Sequence, residues 1–270
     1  MDWARIMAPL TGGDGDRHVI ETAAHLAQTF DAELACVHAP PDAADLIPWM
    51  GDGFMGGVQA TAIESIRQAA EEGARLAKAA AEASPYPRTR FQTLDSPVWT
   101  ALAQLSRLSD LVVFDDTAAK GRGPLAEAFQ QIVIDEQRPT LVARPGLKAN
   151  GVAAVAWDGG KEASRAVRTA VPLLAKASEV VILSAPAAVS RTYEPNDLAA
   201  YLAARGVKAR VQLISEGGDP APRLLKAAES AGAGLLVAGA FGHPRLQEFI
   251  FGGATRAFLS AAGPSLFLSH

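Results

Sequence analysis

The chain has 270 residues, enough for one large domain or two ordinary ones. It is 49% hydrophobic and 20% charged with a net charge of −4, so it can build a full core and lacks a basic surplus for nucleic acid. No apolar run reaches the ~18 residues of a membrane span, and the N-terminus has no signal-peptide pattern. The single cysteine, Cys36, excludes an intrachain disulfide and suits a reducing compartment. We therefore predict a cytoplasmic protein that binds neither membrane nor nucleic acid.

The first half alternates predicted strands and helices. Apolar runs predict strands over residues 5–10, 33–38, 88–94, 110–115 and 139–144. Helical spacing and strong helix formers predict helices over residues 16–30, 61–83, 98–108 and 125–135. The second of these helices is expected to face inward with Ile63, Ile66, Ala70 and Leu76. A loop rich in Pro, Gly, Met and Trp is expected over 39–58, and a linker over 145–151.

The second half repeats this order. Strands are predicted over residues 152–157, 179–184, 207–214, 235–238 and 264–269. Helices are predicted over residues 162–175, 197–205 and 220–231, with a last one beginning at 252–255. Residues 34–39 can be laid over 180–185, and residues 139–143 over 264–268. The repeat predicts a duplicated domain, with one copy at 1–147 and the other at 151–270.

The alternation of strand and helix predicts the fold of each copy. Such a pattern is typical of a parallel α/β sheet with helices on both faces. Right-handed crossovers leave few topologies, so we expect two tandem flavodoxin-like or Rossmann-like domains, each with a five-stranded, mainly parallel sheet. Among these, a flavodoxin-like strand order is our specific expectation.

This fold also predicts where a ligand would lie in the second half. In open α/β sheets the crevice lies beyond the carboxyl ends of the strands, where the strand order reverses. Asp158, Ala185 and the segment 239–242 follow three of these strands. The Asp158 carboxylate could hold a ribose hydroxyl and the backbone at Ala185 an adenine edge. A glycine-rich turn before a helix that begins at 252–255 suits phosphate, because the first helical N–H groups are free.

The glycine spacing of the second half resembles a known nucleotide-binding motif. Gly239-x-x-Gly242, then nine residues, then Gly252 resembles the G-x-x-G-x9-G-[S/T] pattern of the universal stress protein family. The order of elements over nearly the whole chain resembles the tandem members of that family. The resemblance implies two HUP-type domains, a stress-response or signalling role, a homodimer and an unknown protein partner. It also implies ATP or another adenine nucleotide, with Mg²⁺ accompanying it.

The strand-end positions, the glycine segment and the resemblance together give a set of candidate nucleotide-binding residues. These are Ala156, Asp158, Ala185, Gly239, Gly242, His243, Gly252, Gly253 and Thr255. Gly253 stands where the family motif has Ser or Thr, so a hydroxyl to a terminal phosphate is missing unless Thr255 supplies it. His243 is a candidate phosphate contact or an ordinary loop residue. Asp158 could also cap the following helix, and the two roles are compatible.

The first half departs much further from this motif. Thr11 and Gly12 stand where the second half has Trp157 and Asp158, and the acidic pair 115–116 stands where a phosphate site needs glycine. Carboxylates there would repel phosphate. We predict that the first half binds no nucleotide and serves as a structural partner. The acidic pair is either a solvated strand end or, as the alternative, a metal site.

Enzyme chemistry finds little support in the sequence. It contains no Walker A pattern, no nucleophile elbow and no closely spaced histidine pair. Slow ATP hydrolysis stays open, although no residue is an evident base.

Two other functions also remain open. One is an interaction protein that uses strands 139–144 and 264–269 as dimer or pseudo-dimer edges, and the other is a binder of a different small ligand in the same crevice.

Overall fold

The computed structural model describes residues 2–40, 56–94, 98–185, 193–214, 218–240 and 253–270. The strands in these ranges are β1 (Arg5–Leu10), β2 (Glu33–His38), β3 (Thr89–Thr93), β4 (Leu111–Phe114), β5 (Thr140–Val142), β6 (Val152–Ala156), β7 (Glu179–Ser184), β8 (Ala209–Leu213), β9 (Ala233–Gly239) and β10 (Ser265–Ser269). The helices are α1 (Gly15–Phe30), α2 (Gly56–Glu82), α3 (Val98–Ser106), α4 (Asp116–Ala119), α5 (Ala126–Ile134), α6 (Lys161–Leu174), α7 (Pro195–Ala203), α8 (Pro220–Ser230) and α9 (Gly253–Ser260).

All described strands form one continuous sheet in the order β3-β2-β1-β4-β5-β10-β9-β6-β7-β8. Neighbours run parallel except β5 and β10, which pair antiparallel. The α/β class and the repeat of the two halves are confirmed. Each half has the strand order 3-2-1-4-5, the Rossmann-like order, where we expected the flavodoxin-like order 2-1-3-4-5. In each half the third strand pairs with the outer side of the second strand. The fourth strand then pairs with the other side of the first strand.

Helices cover both faces of the sheet. Residues of α1, α2, α6 and α7 pack in one apolar cluster, and residues of α3, α5, α8 and α9 pack in the other. Central strands such as β4 and β10 are buried along their whole length, as strands covered on both faces must be. This layering leaves the ends of the strands as the places where a ligand can approach.

The two halves join through β5 and β10. Leu141 lies opposite Phe267, and Thr140 opposite Leu268. The hypothesis of an interaction protein assigned these strands to dimer or pseudo-dimer edges. In the structure they pair with each other inside one chain. Their backbone groups are therefore already used within the sheet.

Most predicted elements agree with the structure to within a few residues, and β1, β2 and β7 agree at both ends. The short helix α4 was not predicted. The inward face of α2 was partly wrong, because Leu76 is 40% exposed while Ala77 and Ala81 are buried. The side chain of Ile63 and residues 41–55 of the predicted loop lie outside the described residues.

Two features bear on the environment of the chain. Cys36 is buried in the core, and burial raises the pKa of its thiol to about 12. It therefore behaves as a small apolar core residue rather than as a nucleophile. Among the described helices, none combines the length and the apolar character that crossing a membrane requires.

Candidate functional site

A cleft of about 300 Å³ lies beyond the carboxyl ends of β6, β7 and β9. The strand order reverses between β6 and β9, so the cleft occupies the switch point where open α/β sheets place ligands. It brings together six of the nine residues that the sequence nominated: Ala156, Asp158, Ala185, Gly239, Gly253 and Thr255. The other three, Gly242, His243 and Gly252, lie outside the described residues.

Asp158 follows β6 and is exposed in the cleft. Its Oδ1 atom accepts a 2.8 Å hydrogen bond from the backbone N–H of Gly160, the N-cap residue of α6. Its Oδ2 atom has no hydrogen-bond partner among the described residues. One carboxylate oxygen therefore shapes the turn into α6, and the other remains available to accept a hydrogen bond from a ligand.

Trp157 is a residue of this site that sequence reasoning missed. It is buried, and its indole Nε1 donates to the backbone carbonyl of Tyr193 at 3.3 Å. The buried hydroxyl of Ser184 donates to the Trp157 carbonyl at 2.9 Å. The Ser184 bond ties the end of β6 to the end of β7, and the indole bond ties it to the segment before α7. Both therefore help to position Asp158. A large aromatic residue directly before a strand-end aspartate was the signal that could have revealed it.

Gly239 is required by packing against α6. A Cβ atom at this position would lie 2.4 Å from the backbone nitrogen of Ala163 and 2.6 Å from the carbonyl carbon of Glu162. Real Cβ atoms do not approach backbone so closely, so only glycine lets β9 meet the first turn of α6. The sequence suggested that this glycine admits a ligand, whereas the close neighbour in the structure is the helix.

Two helices begin at the cleft, and they differ in charge. The first turn of α6 contains Glu162, which is 9% exposed and pairs with Lys161 at 3.3 Å. Its carboxylate interacts favourably with the positive end of that helix. The first turn of α9 contains no acidic residue. The N-terminus of α9 therefore keeps the positive end that would attract a phosphate group.

The first turn of α9 is also sterically open. Gly253 is exposed, and a Cβ atom added there would meet no atom of a described residue within 4 Å. Thr255 is 5% exposed and lines the same cleft. The position that lacks the expected hydroxyl therefore has room for one.

In the first half, the side chain of Asp16 lies at the end of β1, the position that corresponds to the end of β6 in the second half. Its carboxylate accepts from the N–H groups of Thr11 at 2.9 Å and Gly12 at 2.7 Å, just beyond the end of β1. Asp16 is 5% exposed, and burial raises the pKa of its carboxyl above the usual value despite these bonds. Asp16 thus occupies the N–H groups of the two residues that align with Trp157 and Asp158 of the second half.

Helix α2 closes the same region. Gly12 has φ +80°, and a Cβ atom there would lie 2.4 Å from the carbonyl oxygen of Gly73 on α2. His38, at the end of β2, is 1% exposed, and its Nδ1 has no hydrogen-bond partner in the described part of the chain. Burial lowers the pKa of this imidazole, and the charge of Asp16 opposes that effect. Helix α2 therefore packs directly against the turn that follows β1.

The acidic pair after β4 has structural partners. Asp115 is the N-cap of α4 and accepts from the N–H of Ala118 at 2.9 Å. Asp116 pairs with Arg144 at 2.8 Å and with Lys120. The expectation of a solvated pair was therefore incomplete, because both carboxylates have protein partners. Within the described ranges no group of three or more His, Cys, Asp or Glu side chains could hold a metal ion.

The fold and the cleft define a doubly wound α/β protein with a ligand cleft at a switch point of its sheet. Residues 152–263, which lie in the second half of the chain, match the model of the universal stress protein family. A comparison with curated protein sequences gave no match.

Solved structures of similar fold include full-length matches. A universal stress protein from Archaeoglobus fulgidus aligns with 98% of this chain and 95% of its own, at 16% identity and a TM-score of 0.68. A protein of unknown function from Pseudomonas aeruginosa aligns with 99% of this chain and 92% of its own, at 12% identity and a TM-score of 0.57. These likenesses show the fold. A universal stress protein in complex with cAMP aligns with 54% of this chain and all of its own, at 15% identity and a TM-score of 0.32, and the bound cAMP is a property of that protein.

Proposed function

We propose that the protein is a tandem universal stress protein whose second half binds an adenine nucleotide and so acts as a stress-response or signalling module. One observation carries the proposal. The exposed carboxylate of Asp158 and the first turn of α9, which has no acidic residue, line the same cleft at the switch point of the sheet, within the residues that match the universal stress protein model.

Each part of the nucleotide has a matching group in the cleft. The free Oδ2 of Asp158 would accept a hydrogen bond from a ribose hydroxyl. The backbone at Ala156 and Ala185 would border the adenine, and the first turn of α9 would face the phosphates. Gly242 and Gly252 are proposed phosphate contacts from the family motif, and His243 is proposed because it directly follows Gly242. Mg²⁺ enters the proposal only as the counter-ion that the phosphates carry.

The first half would serve as a structural partner that binds no nucleotide. The buried Asp16 carboxylate already holds the N–H groups beyond β1, and a ligand group there would have to displace it. We take residues 1–147 as this degenerate copy and residues 151–270 as the nucleotide-binding copy. The buried, unreactive Cys36 agrees with a cytoplasmic location, which completes the proposal.

Self-association would require surfaces other than β5 and β10, because these strands pair within the chain. The edge strands β3 and β8 are the only strands of the described sheet with one neighbour, so a homodimer formed by strand pairing would use them. Light scattering of the purified protein measures whether the dimer suggested by the family resemblance exists.

Two measurements test nucleotide binding. Mass spectrometry of ligand released from protein purified without added nucleotide identifies what the cleft holds, and titration calorimetry with ATP, ADP and AMP measures affinity. Asp158→Ala should weaken binding about tenfold or more, because it removes a charged acceptor from the ribose. Asp14→Ala is the matched control, since Asp14 precedes α1 in the first half and its side chain makes no capping bond.

The control should bind like wild type. Absence of released nucleotide, together with no heat from any of the three nucleotides, would overturn the proposal. A second candidate function, docking of a protein partner without nucleotide, is favoured by Gly253, which lacks the hydroxyl of the family motif. If wild type binds another small molecule in this cleft, the released ligand reveals it.

A further inference from the structure

A second and larger cleft lies on the seam between the two halves. Its volume is about 650 Å³, within the range of about 300–1,000 Å³ typical of small-molecule sites. The first half contributes the residues just before β1, β4 and β5. The second half contributes the C-terminal part of α6 and the residue Arg205 after α7. The cleft is separate from the one at Asp158, and the two share no lining residue in the described part of the chain.

Four cationic side chains line this cleft, Arg168 on α6 and three in connecting segments: Arg138, Lys176 and Arg205. None of them forms an ion pair with a carboxylate of a described residue. Arg138 donates to the carbonyl of Glu136, Lys176 lies 5.8 Å from the Phe30 ring, and Arg205 stacks on Tyr201. In a chain of net charge −4, such a group of uncompensated cations concentrates positive potential locally.

The acidic residues of the cleft do not cancel this charge. Asp110 accepts hydrogen bonds from the N–H groups of Ala4 at 2.7 Å and Arg5 at 3.0 Å, so its carboxylate holds the start of β1. Asp2 is the other acidic residue of the lining and is exposed. With four cationic and two acidic side chains in its lining, the cleft carries a net positive charge.

The floor of the cleft carries an unsatisfied polar group. Ser109 is 6% exposed, and its hydroxyl oxygen has no hydrogen-bond partner among the described residues. A buried hydroxyl without a partner is costly, so its presence beside four cations points to an acceptor that arrives with a ligand.

We propose that this seam cleft binds a small anion that carries two or more phosphate groups. The arginines and Lys176 would bind the phosphate oxygens, and the Ser109 hydroxyl would donate to one of them. Because residues of both halves line the cleft, the bound anion also holds the halves together. The site is independent of the nucleotide cleft at Asp158.

Titration calorimetry with sodium tripolyphosphate, at low and at physiological salt, tests this site. Arg168→Gln and Lys176→Gln should each weaken binding about tenfold or more, since each removes a charged donor. Ser109→Ala should weaken it roughly fivefold. The matched control is Arg165→Gln, which removes the same charge from an exposed position on the same helix outside the cleft.

Arg165→Gln should bind tripolyphosphate like wild type. Three results would overturn the proposal: no binding to wild type at low salt, an equal loss in Arg165→Gln, or unchanged binding in both Arg168→Gln and Lys176→Gln. The second would show a non-specific effect of surface charge, and the third would place the anion outside this cleft.

Discussion

The guanidinium group of Arg144 donates a 2.8 Å hydrogen bond from Nε to the carboxylate of Asp116, at the end of the first half's fourth strand. The same buried side chain donates from Nη2 to the carbonyls of Phe258 at 3.0 Å and Leu259 at 3.1 Å, in the last turn of α9. Arginine commonly satisfies such helix-end carbonyls. A residue of the first half thus holds one end of the helix whose other end lines the Asp158 cleft.

Replacing Arg144 should therefore destabilise the junction of the two halves. Arg144→Met leaves the buried carbonyl groups of Phe258 and Leu259 without this donor and leaves Asp116 paired with Lys120 alone, and we expect the free energy of unfolding to fall by ~3 kcal/mol. Urea unfolding measures this loss. Arg256→Met, at an exposed position of α9, is the control and should change stability by less than ~0.5 kcal/mol. Equal stability of the two variants would show that the Arg144 contacts contribute little.

A hydroxyl at residue 253 should improve nucleotide binding. The position is open, so Gly253→Ser fits without moving any neighbour and would place its hydroxyl at the first turn of α9. One added hydrogen bond to a phosphate should tighten binding roughly fivefold in calorimetry with ATP. Gly253→Ala is the matched control, because it changes the backbone preference equally without adding a donor. If Gly253→Ser and Gly253→Ala bind ATP with the same affinity, the serine hydroxyl makes no hydrogen bond to a phosphate.

Gly239 should matter for folding even without a ligand. In Gly239→Ala the new methyl group would overlap the backbone of α6 at Ala163, so β9 and α6 must move apart. Overpacking of this kind should cost about 2 kcal/mol in the free energy of unfolding. Thermal and urea unfolding of ligand-free protein measure it, with Gly253→Ala as the glycine control in open space. Wild-type stability of Gly239→Ala would show that the two elements can separate freely.

His38 should make stability depend on pH. Its folded pKa lies below the ordinary value of 6.5, so below pH 6.5 the unfolded chain binds a proton that the folded protein resists. Stability should thus fall as pH drops from 6.5 towards the folded pKa, by at most about 1.4 kcal/mol per pH unit. The raised pKa of Asp16 acts in the opposite direction, because the folded protein keeps that proton longer.

The difference between wild type and His38→Leu isolates the histidine. Urea unfolding between pH 7.5 and 5 should show a decline in wild type that is reduced in the variant. His25→Leu is a suitable control, because His25 lies on α1 and accepts a hydrogen bond from Ala149. Parallel curves for wild type and His38→Leu would exclude a titration of His38 in this window.

The sequence alone determined the local elements and the repeat. Apolar runs and helical spacing depend on residues close in the chain, so β1, β2 and β7 could be predicted to the residue. The same logic placed Asp158 and Ala185 at strand ends, where the switch-point rule brings them into one cleft. The glycine spacing of the second half indicated the universal stress protein family, which the match over residues 152–263 supports.

Only the tertiary structure decided which elements pair or pack against one another. The strand order, the pairing of β5 with β10 and the inward face of α2 depend on contacts between residues far apart in sequence. So do the occupation of the first crevice by Asp16 and the tight approach of Gly239 to α6. Local patterns record which residues prefer burial, but the partner of a buried carboxylate or a glycine is selected by packing of the whole chain.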